Sequence, residues 1–507
     1  MPTGGPRHAP RPLAWAVALG LCCAALPTGA AQAASALVPL DHPAYPRIEA
    51  WAARGVIATP PAAIRPITWE RVLGLLDGAV PVTDRDRARL AALRAEARTH
   101  TEPPGRAELT LQGAWARGDA PTFPTVPAVA SGPALDDNGG RRVTEPGGLS
   151  AELRLERPGR RVAVTLAPRV TAGHAGGGNP AWQEGYVLAD AGPVVVSAGR
   201  QPLQWGPARH GGFLLTPNAA PLPALRLTGS RPFGLPARLG SLEFDLFAAR
   251  LEADRVVPHP ILGGVRLEWR PAGTWRIGLA RVTMLGGEGQ PALSGGDLLT
   301  ILTGKNLYGD ADTSNSIAGV DVAVLVPNPF AAGRLRLYGE YAGEDEARLW
   351  PTKPAVRGGL LVPGLGADGA TALRAEFAAT DVFYDHIKWG SIAWYRHGVY
   401  RSGYTYRGTL IGDAMGPDAR DARLWLTRDG AGRTELEMGW RASYFSAPDR
   451  VERWRLAATR AQDLTRRTAI QVRAAVERRT GGGPVGSGWD GMLTVTLSTA
   501  TGMADGG

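Results

Sequence analysis

"LSAELRLERPGRRVAVTLAPRV", residues 149–170, decides how the chain is to be read. Leu149, Ala151, Leu153 and Leu155 alternate with Ser150, Glu152 and Arg154. After Arg157-Pro158-Gly159-Arg160 the alternation resumes through Val162, Val164 and Leu166. A period of two belongs to extended chain, whose successive side chains point to opposite faces. Two such runs joined by a Pro-Gly turn read as a β-hairpin.

The same pattern recurs outward from this hairpin, at 107–116, 241–251, 264–270, 274–285, 317–326, 333–343, 371–380, 421–429, 434–445, 451–459, 468–479 and 491–500. Less regular pieces lie at 182–199, 355–362 and 391–412. Together they make roughly 16 to 19 strands of about 8–12 residues each. A two-layer sandwich also alternates, but rarely accumulates so many strands in one unit, and no propeller repeat is present. Tilted strands of about 10 residues match the height of a bilayer. The polar set is rich in charge: Glu152 with Arg154, Arg266 with Glu268, Arg336 with Glu340, Arg374 with Glu376, Glu435 with Glu437. In a membrane barrel these would face a wet lumen and pair there, while Leu, Val and Trp face lipid. Trp269, Trp275, Trp394, Trp425, Trp440 and Trp454 stand in or at the ends of strands, as interfacial girdles would. Ordinary core packing is the plainer reading of these tryptophans. The last strand candidate ends near Ala500 without a terminal aromatic residue. The signal read by the barrel-assembly machinery is therefore expected to be non-standard or displaced. The fold class expected is an all-β transmembrane barrel of about 18 antiparallel strands, inserted as a monomer in outer-membrane lipid.

The N-terminus has a different character. Arg7 and Arg11 precede the apolar run "LAWAVALGLCCAAL" (13–26), and "AQA" (31–33) supplies small residues for cleavage. Residues 1–33 read as a secretory signal peptide, too short in its apolar part for a spanning helix. Cys22 and Cys23 lack the spacing of a lipidation box and are the chain's two cysteines, so the mature chain has no disulfide or thiolate site. No later apolar run reaches the length of a membrane helix. Residues 41–103 show helical spacing: Ile48, Trp51 and Ala52 before Gly55; Val72, Leu75 and Leu76 after the N-cap candidate Thr68; and Leu90, Leu93 and Ala97. The organisation expected is a small helical bundle over 34–105 and a membrane barrel over 106–507. That barrel includes an inward-folded loop over 199–240.

Composition excludes several functions. The formal charge is +9, yet arginine is scattered among acids along the strands and there are three lysines, not the basic cluster of a nucleic-acid surface. Neither G-x-S-x-G nor H-E-x-x-H occurs, and the eight histidines show no ligand spacing. His397 and Ser402 are neighbours in sequence only weakly suggestive of a hydrolase. "DADTSN" (310–315) lacks the glycine and final acid of a calcium loop. No enzyme activity, metal or cofactor is expected. One segment, 384–408, interleaves aromatic rings with arginines. Trp389, Trp394, Tyr395, Tyr400 and Tyr404 offer faces for sugar rings, and Arg396 and Arg401 offer pairing to carboxylates or phosphates. An exported acidic polysaccharide would suit them. An aromatic girdle with lumen arginines on two ordinary strands is the plainer reading.

"GRQPLQWGPARHGGFLLTPNAAPLPALRLT", 199–228, is too rich in Gly and Pro for regular central strands. It lacks a nucleophile–base pair. Gly199, Arg200, Trp205, Gly206 and Pro207, followed by Leu214, Leu215, Asn218, Ala219, Pro221, Pro223 and Leu225, resemble the signature of the capsule-assembly Wzi family. The segments "YPRIEAWAARGVI" (45–57) and "RPITWERVLGLL" (65–76) and the long strand series are similar to that family too. Ala208 stands where the pattern has Gly, and Thr216-Pro217-Asn218 replaces Ser-Asn-Asn. The resemblance implies an 18-stranded outer-membrane barrel with a periplasmic helical bundle. It further implies a lectin-like protein that binds capsular polysaccharide at the cell surface without catalysis. A diffusion porin for sugars or anions is the alternative. In either case the loop is expected to fold into the barrel, with Trp205 and Asn218 pinning it.

Overall fold

The computed structural model describes residues 34–58, 62–117, 137–141, 146–173, 181–291, 314–347, 350–381, 394–443, 450–481 and 486–502. The signal-peptide segment 1–33 and Trp389 lie outside them, as does most of "DADTSN".

Eighteen strands close into one antiparallel barrel, joined at one position by the two-residue strand Phe233–Gly234. In chain order they are β1 Arg106–Arg117, β2 Gly147–Arg157, β3 Val162–Ala172, β4 Ala181–Asp190, β5 Val194–Gln201, β6 Leu222–Gly229, β7 Ser241–Arg250, β8 Ile261–Arg270 and β9 Trp275–Leu285. They continue as β10 Asn315–Pro327, β11 Arg334–Ala347, β12 Trp350–Leu365, β13 Thr371–Ala379, β14 Ala419–Asp429, β15 Arg433–Ser443, β16 Val451–Asp463, β17 Thr468–Gly481 and β18 Gly488–Gly502. Each pairs with its neighbours in sequence, and β18 pairs with β1 along twelve residue pairs from Arg106↔Gly502 to Arg117↔Gly491. Closure removes the edges that an open sheet would expose. It also satisfies every strand's backbone within the wall, which a bilayer requires. No helix among the described residues is long and apolar enough to cross a membrane.

The hairpin 149–170 is β2 and β3, turning through 158–161. Its alternation holds in space: Leu149, Leu153, Val162 and Leu166 are exposed on the outer wall, while Arg154 and Glu156 are buried inside. The same sorting runs round the barrel. Leu279, Leu436, Leu456 and Leu493 face out, while Arg266, Glu268, Arg336 and Arg374 face in. The lumen is therefore lined by arginines and carboxylates, and much of it is packed, while lumen-facing Gln471 of β17 remains exposed. Arg266 pairs with Asp321 at 2.7 Å with its side chain 1% exposed. Arg453 and Arg455 share Glu477 at 2.6 and 3.0 Å.

Among the described residues, three helices precede the barrel: α1 Ala44–Arg54, α2 Trp69–Leu76 and α3 Asp84–Thr101. Gly55 ends α1 with φ 77°, a left-handed C-cap. The Thr68 hydroxyl caps α2 by accepting from the Arg71 amide at 3.1 Å. Thr83 and Asp86 form a reciprocal capping box that opens α3. The faces anticipated from spacing are the buried ones: Ile48, Trp51, Val72, Leu76, Leu90, Leu93 and Ala97 form one apolar core.

The bundle covers one end of the barrel. This is the end where the chain enters β1 and leaves β18 and where the connections are short, such as 191–193, 271–274 and 430–432. Arg47 pairs with Asp429 at 3.2 Å, Arg71 with Glu243 at 3.1 Å, and Arg85 with Asp368 at 2.8 Å. The opposite end carries the long connections, among them 118–146, 202–221, 286–314 and 380–418.

Three expectations are corrected here. The inward-folded loop spans 202–221 and not 199–240, because Leu222–Gly229 is a wall strand paired with both β5 and β7. Pro223 sits second in that strand, near the end where a missing amide costs little. Of the piece 391–412, the described residues 394–412 contribute no wall strand; Trp394, Tyr395, Tyr400, Tyr404 and Tyr406 are buried inside, with one two-residue pairing of Thr405–Tyr406 with Thr409–Leu410. Finally, Trp394 and Trp425 are buried inside, whereas Trp269, Trp275 and Trp454 do face outward. Period alone cannot separate a ring on the lipid side from one on a lumen packed with loops.

Candidate functional site

Two loops from the long-connection end and one segment from the helix end meet within the lumen. Ile64–Arg65 pairs antiparallel with Gln204–Trp205. The Gly206 amide donates to Ala63 at 2.9 Å, and the Ala63 amide donates to Glu268 of β8 at 2.8 Å. Thus the linker between α1 and α2 and the loop 202–221 form a miniature sheet across the middle of the barrel.

Glycine is required at two points of the signature stretch, one near the end of β5 and one in the loop. Gly199 has φ 126°, and a Cβ there would lie 2.3 Å from the Gly185 carbonyl oxygen. Gly206 has φ 111°, and its Cβ would lie 2.6 Å from the Gly212 nitrogen. Trp205 is 1% exposed, stands edge-on to Phe247 with centroids 5.3 Å apart, and donates from Nε1 to Asp245 at 2.7 Å. Asp245 also accepts from Arg226 at 2.7 Å. Arg200 donates to the Gln183 carbonyl at 3.1 Å and lies over the Tyr406 ring. Pro207 and Pro221 are buried, and Pro223 is exposed on the outer wall. Ala208, standing where the signature has Gly, is fully buried against Ala323 and Tyr338, so its methyl fits.

The second inner loop is the aromatic segment. Thr216 and Asn218 tie the two loops together. The Thr216 amide donates to Ile411 at 3.1 Å and its hydroxyl to Gly412 at 2.7 Å, while the Asn218 side chain donates to Leu410 at 3.0 Å. A threonine hydroxyl serves here as a serine would. Asn218 also accepts from the Asp137 amide at 3.3 Å, reaching a third loop.

The structure redirects the role expected of the aromatic rings. Trp394, Tyr395, Tyr400 and Tyr404 are all buried. Tyr395 and Tyr404 stack on each other at 5.7 Å, and Trp394 meets Phe213 edge-on. Their hydroxyls donate to backbone: Tyr395 to Phe213 at 2.7 Å, Tyr404 to Leu214 at 2.8 Å, Tyr400 to Gly286 at 3.0 Å. Burial pushes the Tyr395 and Tyr404 hydroxyls well above the usual phenol range. These rings hold loop to loop and leave no face for a sugar. Arg401 is exposed and Arg396 half-buried in the same segment, and Arg407, whose amide donates to Glu252 at 3.1 Å, is exposed further along it. His397 and Ser402 are engaged separately: the ring of His397 accepts from the amides of Val399 and Tyr400, and Ser402 accepts from the Val256 amide at 2.9 Å.

At the helix end, Glu49 of α1 is tied to the wall. It pairs with Arg65, with Arg374 of β13 and with Arg336 of β11, the last at 3.3 Å. Burial pushes its carboxyl up, and Arg374, Arg65 and Arg336 more than reverse this, holding it below the usual carboxylate range. Sequence reading missed this residue, since its partners lie far away in the chain. Beside it, α1, α3, the turn after β12 and the end of β14 border an open cleft lined by Arg47, Arg54, Arg85 and Arg89, with Asp86 and Asp429 among them. No cluster of His, Cys, Asp and Glu among the described residues could hold a metal.

A family model described as capsule assembly protein Wzi matches residues 117–477. Among solved structures, Wzi of Escherichia coli superposes with a TM-score of 0.71 at 18% identity, covering 93% of this chain and all of that one. That protein is described as an outer-membrane protein involved in group 1 capsule assembly and as a carbohydrate-binding β-barrel. OccD3 of Pseudomonas aeruginosa matches with a TM-score of 0.45 at 11% identity, covering 79% of this chain and 92% of that one. No curated protein matches the sequence.

Proposed function

Because the chain belongs to the capsule-assembly Wzi family, we propose that it is a non-enzymatic outer-membrane barrel that binds exported polysaccharide and helps hold it on the cell surface. The observation that carries this reading is a barrel of that family whose lumen is filled from both ends. Trp205, Phe213, Tyr395 and Tyr404 occupy space that a diffusion channel would leave to solute. Binding then falls to the outer surface of the plug.

The end with short turns and the helical bundle faces the periplasm, and the end with long loops faces outward, as in outer-membrane barrels generally. The chain is exported behind the signal segment 1–33, inserted by the barrel-assembly machinery and works as a monomer. Arg396, Arg401 and Arg407 stand on the outward side of the plug and meet carboxylates or phosphates of an acidic polymer. The buried aromatic rings beneath them fix the backbone that presents these arginines. Polysaccharide and lipid are its partners, and no cofactor or metal takes part.

The test is a deletion strain. Capsular polymer should shift from the cell surface to the medium and return to the surface when the gene is restored. Unchanged surface retention would contradict the role.

A further inference from the structure

The outer wall is apolar along its waist, but one sector at the long-loop end is different. Trp440 of β15 pairs in register with Trp454 of β16, Trp454 with Arg478 of β17, and Arg478 with Trp489 of β18. One strand further, Arg117 of β1 pairs with Gly491, two residues along from Trp489. Direct partners in an antiparallel pair point to the same side. These five side chains therefore form one outward row, continued by Trp115 beside Gly491. Trp454, Trp489 and Trp115 are each at least half exposed.

Arg478 lies over the Trp489 ring at 5.4 Å. Both Arg478 and Arg117 are exposed, and neither has a carboxylate partner among the described residues. They stand on the two strands adjoining β18, offset by two residues along it, so about 12 Å separates them by strand spacing and rise. Most lumen arginines of this barrel are matched by acids, whereas these two outward cations have no carboxylate partner among the described residues, and an anion from the membrane would supply one. Guanidinium groups take phosphate bidentately, and tryptophan settles at the boundary between acyl chains and headgroups.

We propose that this row binds the phosphorylated sugar headgroup of an acylated glycolipid in the outer leaflet. Arg117 and Arg478 hold the phosphate, while Trp454, Trp489 and Trp115 lie against the sugar and the first methylenes of the acyl chains. The proposal rests on the orientation given above, with the long loops outside.

The test uses the whole protein in detergent, wild type and the Arg117→Gln/Arg478→Gln double variant, with folding checked by heat-modifiable gel migration. Binding of bis-phosphorylated lipid A, dephosphorylated lipid A and phosphatidylglycerol is followed by native mass spectrometry. The expected result is selective binding of phosphorylated lipid A that weakens about tenfold or more in the double variant, one charge-assisted contact or more, and recovers in an Arg→Lys pair. Equal binding by wild type and variant would overturn the site, as would phosphatidylglycerol binding as tightly as lipid A. A Gly398→Cys variant labelled in intact cells by an impermeant thiol reagent checks the orientation independently. Labelling only after permeabilisation would overturn the proposal together with the reading it rests on. Surface labelling with equal lipid A binding would overturn the proposal alone.

Discussion

Replacing Trp205 by Ala should loosen the plug without opening the wall. The indole is 1% exposed, packs on Phe247 and donates a 2.7 Å hydrogen bond to Asp245. Truncating a buried tryptophan costs about 3–5 kcal/mol, and about 4 kcal/mol corresponds to roughly a thousandfold change in a local opening constant. The amides of Trp205 and Gly206 donate to Leu215 and Ala63, so they report that opening. Hydrogen exchange at these two amides should accelerate by about a thousandfold if exchange follows local opening. Exchange at Val72 and Leu90 in the helical core should not change. Trp205→Phe keeps most of the packing and removes only the bond to a carboxylate, worth about 1.5–3 kcal/mol, so it should accelerate exchange by roughly thirtyfold. Asp245 retains Arg226 in that variant. Acceleration below tenfold in the Ala variant would refute the idea that this side chain holds the loop.

Glu49→Gln leaves Arg65, Arg336 and Arg374 facing one another and should weaken docking of α1 by about 3–5 kcal/mol, seen as faster proteolysis within 44–54. Because the Glu49 carboxyl is held below its usual range, its contribution is complete above about pH 4.3 and is lost only as pH falls below that. Wild-type α1 released near pH 6 would contradict the assignment. Gly206→Ala forces a Cβ to within 2.6 Å of the Gly212 nitrogen at φ 111°, so the yield of heat-modifiable barrel should fall sharply. An unchanged yield would mean the loop adapts. In planar bilayers the wild-type protein should give no steady channels, whereas shortening 203–215 to a glycine linker should produce them. Steady wild-type conductance would favour the porin reading.

The wall was legible because lipid outside and ion pairs inside impose one rule on every strand. Leu153 against Arg154 and Leu267 against Arg266 state it in two letters each. Helix boundaries were legible for a similar local reason, through Thr68 and Gly55. The contents of the lumen were not. The bond between Glu49 and Arg374 joins residues 325 positions apart, and neither has a local mark of its partner. The segment 394–404 carries the composition of a sugar platform. Only the close approach of the 202–221 loop shows that its rings are used for packing. Pro223 misled in the other direction, since a proline near a strand end does not stop the strand. In the signature loop the glycine positions carried real information, because Gly199 and Gly206 adopt backbone conformations that a side chain would block.

The most direct measurement is binding of the organism's purified surface polysaccharide to the detergent-solubilised protein, by calorimetry at low and moderate salt, beside an Arg396→Ala/Arg401→Ala/Arg407→Ala variant. The account predicts saturable, salt-sensitive binding to wild type, and binding weakened about tenfold or more in a variant that still migrates as a folded barrel. Absence of wild-type binding, or equal binding by the two proteins, would contradict it.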